Sequence, residues 1–227
     1  MRDPGLARAL AAEFIGSAWL LAVVVGSGIM GERLSAGNVA LALLANAIAT
    51  GCALLVLIVI FAPLSGAHFN PAVSAVFWSR GELPIRRLLA YAPAQLLGAL
   101  VGVAIAHGMF ELPIVQASQH GRSGGAQWLG EFVATAGLVL TILGSIAARP
   151  AWTPLLVAGY ITAAYWFTSS TSFANPAVTI ARSFTDSFAG IAPGDVAGFI
   201  VAQMFGAAAA AWLGGWLWPS TENSMKS

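Results

Sequence analysis

Apolar residues fill six stretches of the chain almost without interruption, at 8–30, 38–61, 85–110, 128–148, 152–167 and 195–218. Each is expected to form a membrane-crossing helix, because about 20 such residues span a hydrocarbon core of roughly 30 Å. Two further stretches, 65–80 and 172–188, are only moderately apolar, and each holds Asn-Pro-Ala-Val followed by a helix-compatible segment. Neither can cross alone, since a helix of about ten residues reaches only about 15 Å. The first stretch follows Arg2 and Arg8, as a secretory leader would, but it has no obvious cleavage site and is expected to be a retained span.

The pattern occurs twice. Ala12-Glu13-Phe14-Ile15 is matched by Gly130-Glu131-Phe132-Val133, and Asn70-Pro71-Ala72-Val73 by Asn175-Pro176-Ala177-Val178. Ala94-Gln95-Leu96-Leu97-Gly98-Ala99 is matched by Ala202-Gln203-Met204-Phe205-Gly206-Ala207, in the same order and at similar spacing. The chain is therefore expected to be one membrane domain over 1–227, with a first half at 8–110 and a second at 128–218. Three spans per half is an odd number, so the second half must enter the membrane upside down. The predicted fold is an all-α membrane protein with six transmembrane helices and two re-entrant half-helices in an inverted repeat.

Composition agrees and narrows the function. Of 227 residues, 58% are apolar and 8% charged, whereas soluble domains carry roughly 25% charged residues. The mean hydropathy is +0.81. Six spans leave no room for a soluble catalytic domain, and no metal-ligand cluster or nucleophile–base pair is evident, so neither an enzyme nor a cofactor is expected. A net charge of +1 without a basic patch gives no sign of a nucleic-acid partner. The lone cysteine, Cys52, has no internal partner for a disulfide, and its register places it away from Thr50 and the interior. Basic residues favour one side: Arg2, Arg8, Arg80, Arg86, Arg87, Arg149 and Lys226 against Arg33, Arg122 and Arg182. That bias predicts both termini in the cytoplasm and 111–127 as an external loop.

Each Asn-Pro-Ala reads as a helix start, with asparagine as N-cap and proline at the first helical position. In an inverted repeat the two starts face each other at mid-membrane, where irregular backbone is tolerable only beside a water-filled path or within protein. Each half-helix brings roughly half a positive charge to that point, which repels cations and attracts the oxygen of a neutral dipole. With the side-chain oxygens capping their own helices, the amide NH2 groups of Asn70 and Asn175 are expected to face a lumen as donors. Gly66-Ala67-His68 and Ser172-Phe173-Ala174 are expected to line the approaches with backbone carbonyls. Such a path suits water, polyols and small hydroxides. Glu13 and Glu131 have two readings: an intramembrane proton or cation site, or acceptors for the extended backbone before each half-helix, which the duplication favours. Gln95 and Gln203 take the same structural reading.

Two Asn-Pro-Ala boxes, the flanking Ser65-Gly66-Ala67-His68-Phe69, the paired glutamates and the paired Ala-Gln together resemble the aquaporin, or major intrinsic protein, family over nearly the whole chain. The resemblance implies a passive channel for small neutral solutes and water, in a bacterial-type inner (plasma) membrane, assembled as a homotetramer. It also implies an outer selectivity filter at four positions counted from the boxes: Thr50, Ala163, Ser172 and Val178. Members usually carry arginine at the place of Val178. Its loss, with Thr, Ala and Ser beside it, implies a wide ring without fixed charge that does not select for water. Asn-Pro-Ala-Val-Thr-Ile-Ala-Arg-Ser together with Thr50 resembles the bacterial branch associated with arsenic resistance, which implies passage of glycerol-like polyols, As(OH)3 and methylated arsenicals.

Other readings stand beside this one. Arg182, one turn past Val178, either substitutes for the missing arginine or faces the outer vestibule and pairs with Asp186. His68 is a proton-sensitive gate or, more simply, a pore-lining or backbone-fixing residue. His107 and His120 are expected to be solvated near the outer surface. The competing functions are a water-selective pore and an inverted-repeat secondary transporter, which would need a coupling site at Glu13 or Glu131.

Overall fold

The computed structural model describes residues 5–218; Arg2 and Lys226, two of the residues weighed for orientation, lie outside the described residues. All the regular structure described is helical. In chain order it comprises α1 (Leu6–Leu34), α2 (Val39–Ser65), α3 (Pro71–Ser79), α4 (Ile85–Met109), α5 (Gly125–Ala148), α6 (Thr153–Phe167), α7 (Pro176–Arg182) and α8 (Val196–Leu217), with 3-10 turns at Pro150–Trp152 and Pro193–Asp195. Five of the long helices are long and apolar enough to cross a membrane. The sixth, α6, has 15 residues and reaches about 22 Å. Prolines at 150 and 154 keep its start from extending backwards.

Each half builds the same bundle. In the first, α1 packs along α2 and α4; in the second, α5 packs along α6 and α8. The halves meet through α2 against α6 and through the half-helices, with α3 touching α8 and α7 touching α4. Glycine permits the closest approaches: a methyl group at Gly98 would strike the Phe14 carbonyl oxygen, and one at Gly206 the Phe132 carbonyl oxygen. Outward faces carry Leu44, Ile48, Val59, Leu97 and Phe205, all exposed, as a lipid-facing surface requires.

Two local features differ from expectation. Helix α7 closes after seven residues, because Ser183 and Phe184 donate their amides to Ile180 and Ala181 and tighten the last turn. The loop after α4 does not stand free. Gln116 N–H donates to Phe184 O and Ser118 N–H to Ser183 O, while His120 O accepts from Ala192 N–H. It thereby folds over the end of α4, and His107 is not solvated but fully buried, bonded through Nδ1 to Ile114 O (3.0 Å) and through Nε2 to Thr185 Oγ1 (2.8 Å). His120 is exposed.

Candidate functional site: the junction of two half-helices

Asn70 and Asn175 cap their half-helices with nearly the same backbone, φ −153°, ψ 117° and φ −160°, ψ 115°. Asn70 Oδ1 accepts from Ala72 N–H at 2.9 Å; Asn175 Oδ1 accepts from Ala177 and Val178 N–H at 3.0 and 3.3 Å. The side-chain amides then cross over. Asn70 Nδ2 donates to Ala174 O at 2.7 Å, and Asn175 Nδ2 donates to Phe69 O at 2.8 Å. The two helix starts therefore face each other inside the protein. One hydrogen of each amide is held by the opposite half, a tie the sequence does not reveal; the second has no protein acceptor among the described residues.

The backbone leading into each box is bent alike. Ala67 and Phe69 have φ of 52° and 49°, and Ser172 and Ala174, the residues 105 further on, have φ of 52° and 49°. Left-handed conformations of this kind cost of order 1–3 kcal/mol per non-glycine residue and persist only where their surroundings impose them. The glutamates supply that constraint. Glu13 accepts from Ser65 Oγ (2.6 Å), His68 N–H (2.9 Å), Phe69 N–H (2.6 Å) and Gln95 Nε2 (2.7 Å). Glu131 accepts from Phe173 N–H (2.8 Å), Ala174 N–H (2.9 Å) and Gln203 Nε2 (2.6 Å). Gln95 and Gln203 also reach Ser74 and Thr179 of their own half-helices.

A cavity of about 120 Å³ runs past this junction. Gly66, Ala67, His68, Phe173 and Ala174 line it, as do Asn70 and Asn175. On the α3 side its wall is mostly apolar, with Phe77, Leu138, Ile142 and Val157; on the α7 side it gains Thr50, Tyr165, Ser172 and Arg182. Thr50 Oγ1 lies 3.2 Å from Tyr165 Oη. Ser172 Oγ is buried without a partner among the described residues. The lining thus combines an apolar wall with a few convergent polar groups, the arrangement by which a small solute is oriented and desolvated.

A model of the major intrinsic protein family matches residues 1–153. Over 217 residues the chain is 55% identical to the aquaglyceroporin AqpS of Rhizobium meliloti (strain 1021), covering 96% of this chain and 93% of that protein. The chain belongs to the major intrinsic protein family. Members of this family are membrane channels, not enzymes. Aquaporin Z of Brucella melitensis biotype 1 is 33% identical over 151 residues, 61% of this chain and 65% of that one. The solved aquaglyceroporin from Plasmodium falciparum shares the fold, with a TM-score of 0.69 and 22% identity over 92% of this chain and 95% of that one.

As a major intrinsic protein the chain departs from the expected outer ring. Thr50, Ser172 and Val178 line the cavity, but Ala163 does not; it is exposed on the far side of α6. Counting from the box misplaces this position because α6 ends at Phe167 and residues 168–174 are non-helical, so Tyr165 and Ile161 face inward instead. The expected absence of fixed charge also fails. Arg182 lines the same cavity, 2% exposed, with its guanidinium 3.3 Å from the centre of the Phe173 ring and its Nε bonded to Ala189 O. It does not pair with Asp186, whose Oδ1 accepts from Gln119 N–H. Pro71, Ala72, Pro176 and Ala177 do not line the cavity; they open the half-helices, with both alanines fully packed. The Ala174 carbonyl, expected as a free acceptor, is engaged by Asn70. Cys52 lies on the exposed face of α2, away from the cavity.

Proposed function

We propose that this channel passes small neutral hydroxylated solutes, namely water, glycerol-like polyols, As(OH)3 and methylated arsenicals, down their gradients. The observation that carries the reading is the crossed pair of asparagines on a cavity that is largely apolar. Each amide keeps one donor for a solute oxygen while the wall accommodates carbon or arsenic-bound methyl. As(OH)3 is a neutral trihydroxide of polyol shape, and the Asn-Pro-Ala-Val-Thr-Ile-Ala-Arg-Ser segment with Thr50 supports its inclusion. In this reading Asn70 and Asn175 are the central donors, and Thr50, Ser172 and Val178, with Tyr165 and Arg182, form the outer filter. Glu13 and Glu131 are structural: four and three protein donors respectively occupy most of the roughly four acceptor sites of each carboxylate, which weighs against a coupling ion and so against a secondary transporter. The channel works in a bacterial plasma membrane as a homotetramer with both termini in the cytoplasm.

Tyr165 and Arg182 make the outer ring narrower than a ring of Thr, Ala, Ser and Val, and this favours water selectivity as the second reading. Proteoliposome swelling compared across water, glycerol, As(OH)3 and methylated arsenicals decides between them. Glycerol and As(OH)3 flux well above protein-free vesicles, unaffected by imposed ion gradients, is the expected result. Water flux alone refutes the proposal, and gradient-dependent flux restores the transporter.

A further inference from the structure

The repeat that relates the two boxes also relates the residues beyond them. Asn70 and Asn175 are 105 positions apart; so are Val73 and Val178, and so are Phe77 and Arg182. All four of these flanking residues line the cavity. The first pair, three residues past each asparagine, is aliphatic on both sides. The second pair, one helical turn further on, stacks on the residue two positions before its own asparagine. Phe77 stacks on His68 with ring centres 4.7 Å apart and an interplanar angle of 26°, and the Arg182 guanidinium lies over Phe173. Arg182 therefore occupies a place that faces the path in both halves.

No carboxylate lies within ion-pairing distance of Arg182 among the described residues. Among the described residues the ion pair found is Arg80 with Glu82. Arg182 Nε is tied to Ala189 O, and no protein partner engages its two terminal nitrogens among the described residues. A second guanidinium, that of Arg122, lies 5.1 Å from the centre of the same Phe173 ring. That one is committed, with Nε donating to Gly190 O at 2.8 Å and Nη1 and Nη2 within 3.4–3.5 Å of Ser170 O, Thr171 Oγ1 and Phe188 O. Arg182 is thus the cation with donors to spare. A rigid aromatic platform below it and a backbone anchor behind it fix the direction of those donors.

We infer that Arg182, held on Phe173 and Ala189, is the specificity-determining residue of the outer pore: it repels cations and donates hydrogen bonds to the oxygens of a neutral solute, one helical turn outward of Val178. An unpaired charge in a low-dielectric constriction raises the barrier to any ion of like sign, whereas a neutral polyol gains two donors. Val178 adds an aliphatic surface to the same lining as Thr50, Tyr165 and Ser172. The assignment rests on the neutral-solute reading above and adds to it the residue that enforces neutrality.

The test uses the full-length protein in proteoliposomes, with glycerol swelling and potassium leak measured on the same vesicles. Wild type and Arg182→Lys are expected to be potassium-tight, and Arg182→Gln to leak potassium at least tenfold faster. The double variant Arg182→Gln with Val178→Arg is expected to regain tightness. An Arg182→Gln channel that passes glycerol and stays as potassium-tight as wild type overturns the inference. If Arg182→Gln does not insert, Arg182→Met takes its place: it also removes the charge, is expected to leak potassium at least tenfold faster than wild type, and overturns the inference if it inserts and stays potassium-tight. Absence of glycerol flux in the wild type would strike at the solute reading alone, because the potassium comparison still judges Arg182.

Discussion

Replacing Glu131 by glutamine removes one charge and almost no volume, so its effect isolates the carboxylate's hold on the second box. Phe173 N–H bonds to one carboxylate oxygen, and Ala174 N–H with Gln203 Nε2 to the other. A glutamine has a single acceptor oxygen, so in either orientation at least one buried N–H meets an NH2 group. Hydrogen bonds to charged groups contribute about 1.5–3 kcal/mol, and leaving a buried donor unmade costs about 1–3 kcal/mol. The combined loss is about 2–4 kcal/mol, comparable with the strain held at Ser172 and Ala174, which is of order 1–3 kcal/mol per residue. The segment therefore relaxes, and the Ala174 carbonyl withdraws from Asn70. Stopped-flow light scattering on Glu131→Gln vesicles should show glycerol and water flux down at least tenfold, with a melting midpoint several degrees lower in detergent. Glu13→Gln should be worse, because that carboxylate takes four donors. A Glu131→Gln channel with flux within twofold of wild type and an unchanged midpoint would refute the structural role and reopen the coupling-site reading.

Three other outcomes follow from the same geometry. Val178→Arg places a second guanidinium one turn inside Arg182 and should cut glycerol, urea and As(OH)3 flux more than tenfold while sparing water; bulky-solute flux at wild-type level would show that this position is not in the filter. Asn70→Asp exchanges the donor facing the Ala174 carbonyl for an anion, so potassium leak should rise and thermal stability fall, and an ion-tight, equally stable variant would contradict the crossed-amide geometry. Gly206→Val drives a side chain into the Phe132 carbonyl, where backbone cannot yield as a side chain would; a loss at the upper end of about 1–3 kcal/mol is expected, seen as a reduced yield of folded protein on size exclusion, and a wild-type yield and melting midpoint would contradict it.

Much of this fold was legible because lipid imposes simple rules. Six long apolar runs and two short ones gave the elements, and an odd number of spans per half gave the inversion. The paired glutamates were read correctly as backbone acceptors for a related reason: a residue at the same point of both halves answers to the fold more readily than to one ion. The outer ring was less legible. Counting back from Asn175 assumes a fixed loop, and the non-helical 168–174 segment moved the inward face from Ala163 to Tyr165. For Arg182 the distance to Val178 and the nearby Asp186 are poor guides; the repeat carries the better signal, since its counterpart in the first half is Phe77. The burial of His107 is not legible in the sequence, because nothing local shows that a loop will fold back over a helix end.

The crossed amides mean that neither half finishes its own lining. Each asparagine is aimed by a carbonyl that belongs to the opposing copy, so cutting the connecting loop would leave two pieces that must meet before either can be set. The seam that joins the two halves is therefore also the wall of the cavity.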